Sequence, residues 1–127
     1  MAKALNNEKV RLLVVDDEPS IGDALRLVLE SNGYEVVLVA KGCEAIEQAR
    51  QHRFAFGIVD LFLEDLCGFQ VITEIHKHQP ELPLLIVSGH DSPRLFEKAK
   101  RLGAIGSLSK PFLPEEIITL ITSTIGK

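Results

Sequence analysis

Five residues that can do chemistry stand where short apolar runs stop. Leu12 to Val15 is followed by Asp16 and Asp17, Phe56 to Val59 by Asp60, Leu84 to Val87 by Ser88, and the weaker run Ile105 to Ser109 by Lys110. Carboxylates gathered in one cleft repel each other, which raises their pKa values or demands a cation. An oxygen-rich set with few dedicated ligands suits a hydrated Mg²⁺ that keeps positions open for a substrate phosphate. An Asp carboxylate left free can attack phosphorus and form an acyl phosphate. Such a transfer needs positive charge around the equatorial oxygens more than acid/base chemistry. Lys110 brings a mobile point charge, and Ser88 a hydroxyl that can donate to a phosphoryl oxygen. Taken singly each signal is ordinary: Asp-Asp after a strand often only caps a helix, and Lys-Pro often only turns the chain. Their meaning depends on whether the fold brings them together.

The elements that must do so are legible as alternating periods. The first three runs, together with Val36 to Val39, are rich in Val, Ile and Leu without polar alternation, as strands covered on both faces of a parallel sheet are. The run at Ile105 is weaker because Gly106 and two serines interrupt it. Ile21, Ala24, Leu25, Val28 and Leu29 follow helical spacing, with Pro19 at a first turn and Gly33 as a stop. Further helices are expected from about Cys43 to His52, with Ile46 and Ala49 inward, and from Gly68, with Val71, Ile72 and Ile75 inward, ending before Pro80. A fourth starts at a Ser92 cap and Pro93, with Leu95, Ala99 and Leu102 on one face. The last opens after Pro114, with Glu115 and Glu116 at the positive helix end and Ile117, Leu120 and Ile121 inward. Strand and helix alternate five times, which predicts a doubly wound α/β sheet with helices on both faces. All carboxyl ends then lie at one edge, where ligands of open α/β sheets bind, and the five polar residues converge there.

The bulk properties narrow the alternatives. A chain of 127 residues fits one compact domain, here Val10 to Lys127 behind a polar tail over residues 1–9, so any output module lies outside it. Hydrophobic residues at 46% and charged ones at 25% are near globular averages and exclude a disordered or fibrous chain. The net charge of −4 and the lack of a dense Lys/Arg run argue against direct nucleic-acid binding through phosphates. Cys43 and Cys67 are too few for a disulfide framework or a Cys-based zinc site, and read as free thiols in a reducing cytoplasm. No signal peptide or membrane-spanning stretch is evident, so a cytoplasmic location is expected.

With these residues in place the sequence resembles the receiver domain of two-component response regulators, the CheY-like superfamily, from about Val10 to the last helix. The resemblance rests on Leu13-Val14-Val15-Asp16-Asp17-Glu18-Pro19, on Ile58-Val59-Asp60-Leu61 with Gly68 eight residues after the Asp, on Val87-Ser88-Gly89, and on Lys110-Pro111-Phe112. It implies a five-stranded sheet of order 2-1-3-4-5 with flavodoxin-like topology. It implies that Asp60 accepts a phosphoryl group from a phosphohistidine on a sensor histidine kinase or histidine phosphotransfer protein. Asp17, Asp60 and the backbone carbonyl of Phe62 would bind Mg²⁺, with Asp16 acting mainly through water, and Ser88 and Lys110 would hold the phosphoryl oxygens. The chain would be a regulatory phosphoacceptor that assists its own phosphorylation and dephosphorylation rather than an enzyme. A cis bond before Pro111 is also implied. Output would pass through the fourth helix, fifth strand and fifth helix to a downstream protein or effector domain, or to a second copy in a homodimer.

Some positions depart from that pattern. Ser107 stands where the family commonly has a Tyr or Phe that swings inward with the hydroxyl residue, so Ser88 and Ser107 make an altered switch pair. Glu64, followed by Asp65, stands where a proline is commonly found, and the two read as solvated loop acids. Phe62 and His90 hold positions that influence the lifetime of the acyl phosphate, and Phe62 is expected to shield it. His52, His76 and His78 sit late in helices, where partial charge suits the negative end. Ile118, Thr119, Thr122 and Ser123 with Phe96 form either a docking patch or a face partly packed on the core. Two other classes compete: an adaptor of the same shape that binds partners without phosphate, and a flavin carrier, which the charges of Asp16-Asp17-Glu18 disfavour by repelling a flavin phosphate.

Overall fold

The computed structural model describes residues 9–89 and 92–126. His90, and all of the expected tail except Lys9, fall outside the described residues. The elements are β1 (Arg11–Val15), α1 (Pro19–Ser31), β2 (Glu35–Val39), α2 (Gly42–Gln51), β3 (Phe56–Asp60), α3 (Gly68–His78), β4 (Leu84–Ser88), α4 (Pro93–Arg101), β5 (Gly106–Ser109) and α5 (Pro114–Ile125). The strands form one parallel sheet of order β2-β1-β3-β4-β5, as expected. The order reverses between β1 and β3, so the ends of these two strands flank the crevice in which such sheets bind ligands.

Two cores follow from the absence of polar alternation in the central strands. Leu13, Val15, Val59, Leu84 and Ile86 meet Ala45 and Ala49 of α2, Val71, Ile72 and Ile75 of α3, and Ala99 of α4. On the opposite face Leu12, Val14, Ile58, Leu85 and Val87 meet Leu25 and Leu29 of α1 and Ile117 and Ile121 of α5. Each fully buried Leu or Ile contributes about 1.5–3 kcal/mol of transfer free energy, so these faces hold the strand ends in register.

Helix starts share a device. The backbone N–H of Lys41, Cys67 and Leu113, each just before a helix, donates to the side chain three residues on, at Glu44, Gln70 and Glu116. This satisfies an otherwise orphaned group at the entry of α2, α3 and α5. Ser92 does occupy the cap position of α4 with Pro93 following, but its side chain makes no cap bond.

Two inward assignments and one strand limit need correction. Ala24 is exposed, and the buried stripe of α1 is Gly22, Leu25 and Leu29. A Cβ at Gly22 would sit 2.9 Å from Leu38 Cδ1, so α1 approaches β2 most closely through a glycine, which rotates the helix away from Ala24. Leu102 lies one residue past the end of α4 and is 37% exposed. Ile105 precedes β5 and is 41% exposed, although its N–H still donates to the Leu84 carbonyl. Ile118 packs against the second core rather than standing free.

At the far end of the sheet, Gln79 is buried beyond α3. Its Nε2 donates to the carbonyls of Ala49 and His52, and its Oε1 accepts from Phe54 N–H, which ties together the ends of α2 and α3 and the entry to β3.

Candidate functional site

Asp16 directly follows β1 and is buried, Asp17 is half-buried, and Asp60 ends β3 and is buried. One carboxylate oxygen from each lies within 4.8 Å of the others. Ser88 ends β4 and is 1% exposed, and Lys110 follows β5. The Lys110 N–H donates to the Ser88 carbonyl at 2.7 Å, so the ends of β4 and β5 are fixed to each other. The sheet therefore brings all five residues to one edge. The Lys110–Pro111 bond is cis, as the resemblance implies.

Lys110 Nζ is the cationic hub. It lies 3.0 Å from Asp60 Oδ2, 3.0 Å from Glu18 Oε1 and 3.2 Å from Asp16 Oδ2. Burial works against its ammonium, but the hydrogen bonds to Asp60 and Glu18 and the charges of Asp16 and Asp60 outweigh it, so its pKa stands above the usual lysine range. Glu18 was not singled out from sequence as a partner of Lys110. The only signal was its place directly after the Asp pair.

Asp16 is the costly member. Its Oδ1 accepts from Glu18 N–H at 2.9 Å, but its Oδ2 is buried without a hydrogen-bond partner, with Lys110 as a charge neighbour. Desolvation raises its pKa, and the Glu18 N–H and Lys110 only partly oppose this. An orphaned buried carboxylate oxygen beside two more carboxylates is what a hard divalent cation with oxygen preference would satisfy, so the residues fit such an ion.

The loop after β3 is built to hold this geometry. Phe62 N–H donates to Asp60 Oδ1 at 3.3 Å, and Glu64 N–H donates to Asp17 Oδ2 at 3.1 Å. The Phe62 side chain is 53% exposed. Asp65 corrects the expectation of solvated loop acids. Its two oxygens accept from Gly42 N–H at 2.8 Å and Cys43 N–H at 3.0 Å, so it caps α2 from a different loop. Those bonds, that from Cys43 foremost, outweigh its slight burial and lower its pKa to about 2. The loop returns tightly at Gly68, where a Cβ would lie 2.7 Å from the Asp60 carbonyl oxygen, so only glycine fits. Cys43 and Cys67 are free thiols.

Ser107 is half-buried in β5, paired with Ile86. His76 is more than a helix-end charge: its Nε2 lies 2.9 Å from the Leu82 carbonyl, and a Cβ at Gly103 would sit 3.0 Å from its Nδ1. Beside Lys110, the exposed Ala24 lines a groove of about 460 Å³ with Ile21, Pro111 and Phe112. Among the described residues no helix is long and apolar enough to cross a membrane.

Comparison with known proteins agrees with this geometry. The family described as the response regulator receiver domain matches residues 12–122. The transcriptional regulatory protein GlrR of Escherichia coli K12 is 33% identical over 107 residues, which cover 84% of this chain and 24% of GlrR. The chain thus spans about a quarter of that relative and about half of several others. A CheY-like receiver domain protein from Methanospirillum hungatei JF-1 superposes with a TM-score of 0.89 at 27% identity, covering 94% of this chain and 95% of that one. A response regulator from Burkholderia pseudomallei, solved with a phosphorylated aspartic acid, a calcium ion and citrate, gives 0.84 at 29% identity, covering 92% and 69%.

Proposed function

Because the chain belongs to the response regulator receiver domain family of two-component signalling, we propose that Asp60 is its phosphoacceptor and that Asp16, Asp17 and Lys110 serve the transfer. The observation that carries this assignment is the Lys110 ammonium held 3.0 Å from Asp60 Oδ2 beside the orphaned Asp16 oxygen. A neutral adaptor reading is not favoured, because no member of the acidic set or its lysine is lost.

In the transfer, an Asp60 carboxylate oxygen attacks the phosphorus of a phosphohistidine on a sensor kinase or phosphotransfer protein. The new O–P bond forms as the P–N bond breaks, and the electron pair leaves with the imidazole nitrogen, which then takes a proton. The Phe62 N–H bond to Oδ1 and the Lys110 bond to Oδ2 fix the carboxylate in place. Asp16, Asp17, Asp60 and the Phe62 carbonyl would hold Mg²⁺, which when bound offsets the carboxylate charge and offers a position to a phosphoryl oxygen. The Burkholderia protein's phosphorylated aspartate and calcium ion support this chemistry by analogy. Lys110 then exchanges Asp60 for the phosphoryl oxygens, and the Ser88 hydroxyl donates to one of them.

The added charge favours one of two pre-existing states, and α4, β5 and α5 carry it to an effector domain, a downstream protein or a second copy. Ser107 lacks a ring, so it cannot itself contribute aromatic packing to a change on that face. Acetyl phosphate with Mg²⁺ labels the wild-type chain, and Asp60→Asn abolishes the label. A wild-type chain that stays unlabelled overturns the assignment. Phe62 shields the product, so Phe62→Asn loses its label faster in a chase, and an unchanged decay rate removes that role. His90, the other expected modulator, has no described geometry.

A further inference from the structure

We infer that the groove between α3 and α4 is a docking site for an acidic, amphipathic segment of a partner protein. Four of the nine residues of α4 are Arg or Lys, although the whole chain carries a net charge of −4. Arg94, Lys98, Lys100 and Arg101 are exposed, and none forms an ion pair among the described residues. Elsewhere among the described residues Arg11, Arg26, Arg50, Arg53, Lys77 and Lys110 have carboxylate partners, and only the scattered Lys9 and Lys41 do not. The uncompensated charge is thus concentrated on one helix.

Three of these cations form a stripe. Arg94, Lys98 and Arg101 follow i, i+4, i+7 spacing, which places them on one side of α4. Lys98 identifies that side, because its Nζ stands 5.0 Å from the centre of the Phe69 ring on α3. Lys98, alone of the three, lines a groove of about 450 Å³ with Gln70 and Thr73 and an apolar floor of Leu66, Phe69 and Leu102. Leu102 is 37% exposed there. Glu74 also lines the groove, but Lys77 holds its carboxylate at 2.9 Å.

An apolar floor with Lys98 at its edge, and with Arg94 and Arg101 along the same side of α4, matches a segment with apolar residues on one face and carboxylates along its edge. A nucleic acid is the poorer match. Its phosphates need a broad basic surface, whereas here the cluster of unpaired basic side chains is confined to one helix of an acidic chain, and it offers little to an apolar floor. The groove exists in the unphosphorylated chain, so docking is measured without a phosphodonor and does not depend on the role of Asp60.

The test uses fluorescence anisotropy with a labelled helical peptide carrying Leu on one face and Glu on the other. Its counterpart with Lys in place of Glu, duplex DNA and anionic phospholipid vesicles serve as competitors. The acidic peptide binds best, and its amide shift perturbations map to α3 and α4. Combining Arg94→Glu, Lys98→Glu and Arg101→Glu weakens it on the order of tenfold or more, because three exposed pairs become repulsive. If that variant fails to fold by circular dichroism, Lys98→Gln, with a loss of about threefold, replaces it. The inference is overturned by equal binding of the basic peptide, by DNA or vesicles displacing the acidic one, by shifts confined to β5 and α5, or by undiminished binding in the charge variants.

Discussion

Asp16 and Asp65 stand on neighbouring loops of the same acidic edge and respond to it in opposite ways. Asp16 is buried with one oxygen that accepts no hydrogen bond and has only the Lys110 charge beside it, and desolvation raises its pKa. Asp65 is exposed with both oxygens capped by backbone N–H groups of α2, and its pKa falls to about 2. Partnering, rather than the density of negative charge, decides what a carboxylate does to the fold. Asp65 is consumed by the architecture, whereas the burial of Asp16 is only partly offset by Lys110, which leaves a demand for positive charge that a ligand can satisfy.

The sharpest way to separate the two is to supply that charge. With Mg²⁺ at about a hundredfold excess over its Kd, the wild-type chain gains about 2.7 kcal/mol against urea, while Asp16→Asn gains little. Equal gains would erase the distinction. In metal-free buffer the order reverses. Asp65→Ala leaves two α2 N–H groups without their cap and lowers the urea stability by about 1 kcal/mol, while Asp16→Asn, which removes a desolvated charge, is no less stable than wild type.

The deficit of Asp65→Ala also has a defined pH range. The folded pKa of Asp65, about 2, lies below its ordinary 3.8. Its stabilising contribution is therefore complete above that ordinary value and drains away as pH falls toward 2. The wild-type and Asp65→Ala stabilities converge over that interval. A gap that persists at the acid end would mean the side chain acts by packing rather than as a carboxylate.

Much of this edge was legible because strand ends of a parallel sheet must share it. Once the apolar runs were read as strands, Asp16, Asp17, Asp60, Ser88 and Lys110 could hardly be apart, and the structure places them together. What escaped were interactions between residues distant in sequence with no periodic signature. Asp65 and Gly42 are 23 residues apart, and nothing in either local pattern announces the cap. The inward face of α1 was misjudged for a related reason, since hydrophobic periodicity gives no weight to Gly22, whose lack of a side chain sets the closest approach to β2. Strand limits were missed by a residue where charge pairs extend the ladder, as with Arg11 and Glu35, joined at 3.2 Å opposite each other.

Gln79 shows how narrowly one position can be specified far from any reaction. Its site requires a group that both gives and receives, at the reach of two methylenes: two protons toward Ala49 and His52, one lone pair toward Phe54. Glutamate has the reach but would set an oxygen against two carbonyls, methionine has the reach but gives no proton, and asparagine has the chemistry but is one carbon short. The vocabulary of twenty side chains contains a single word for that place.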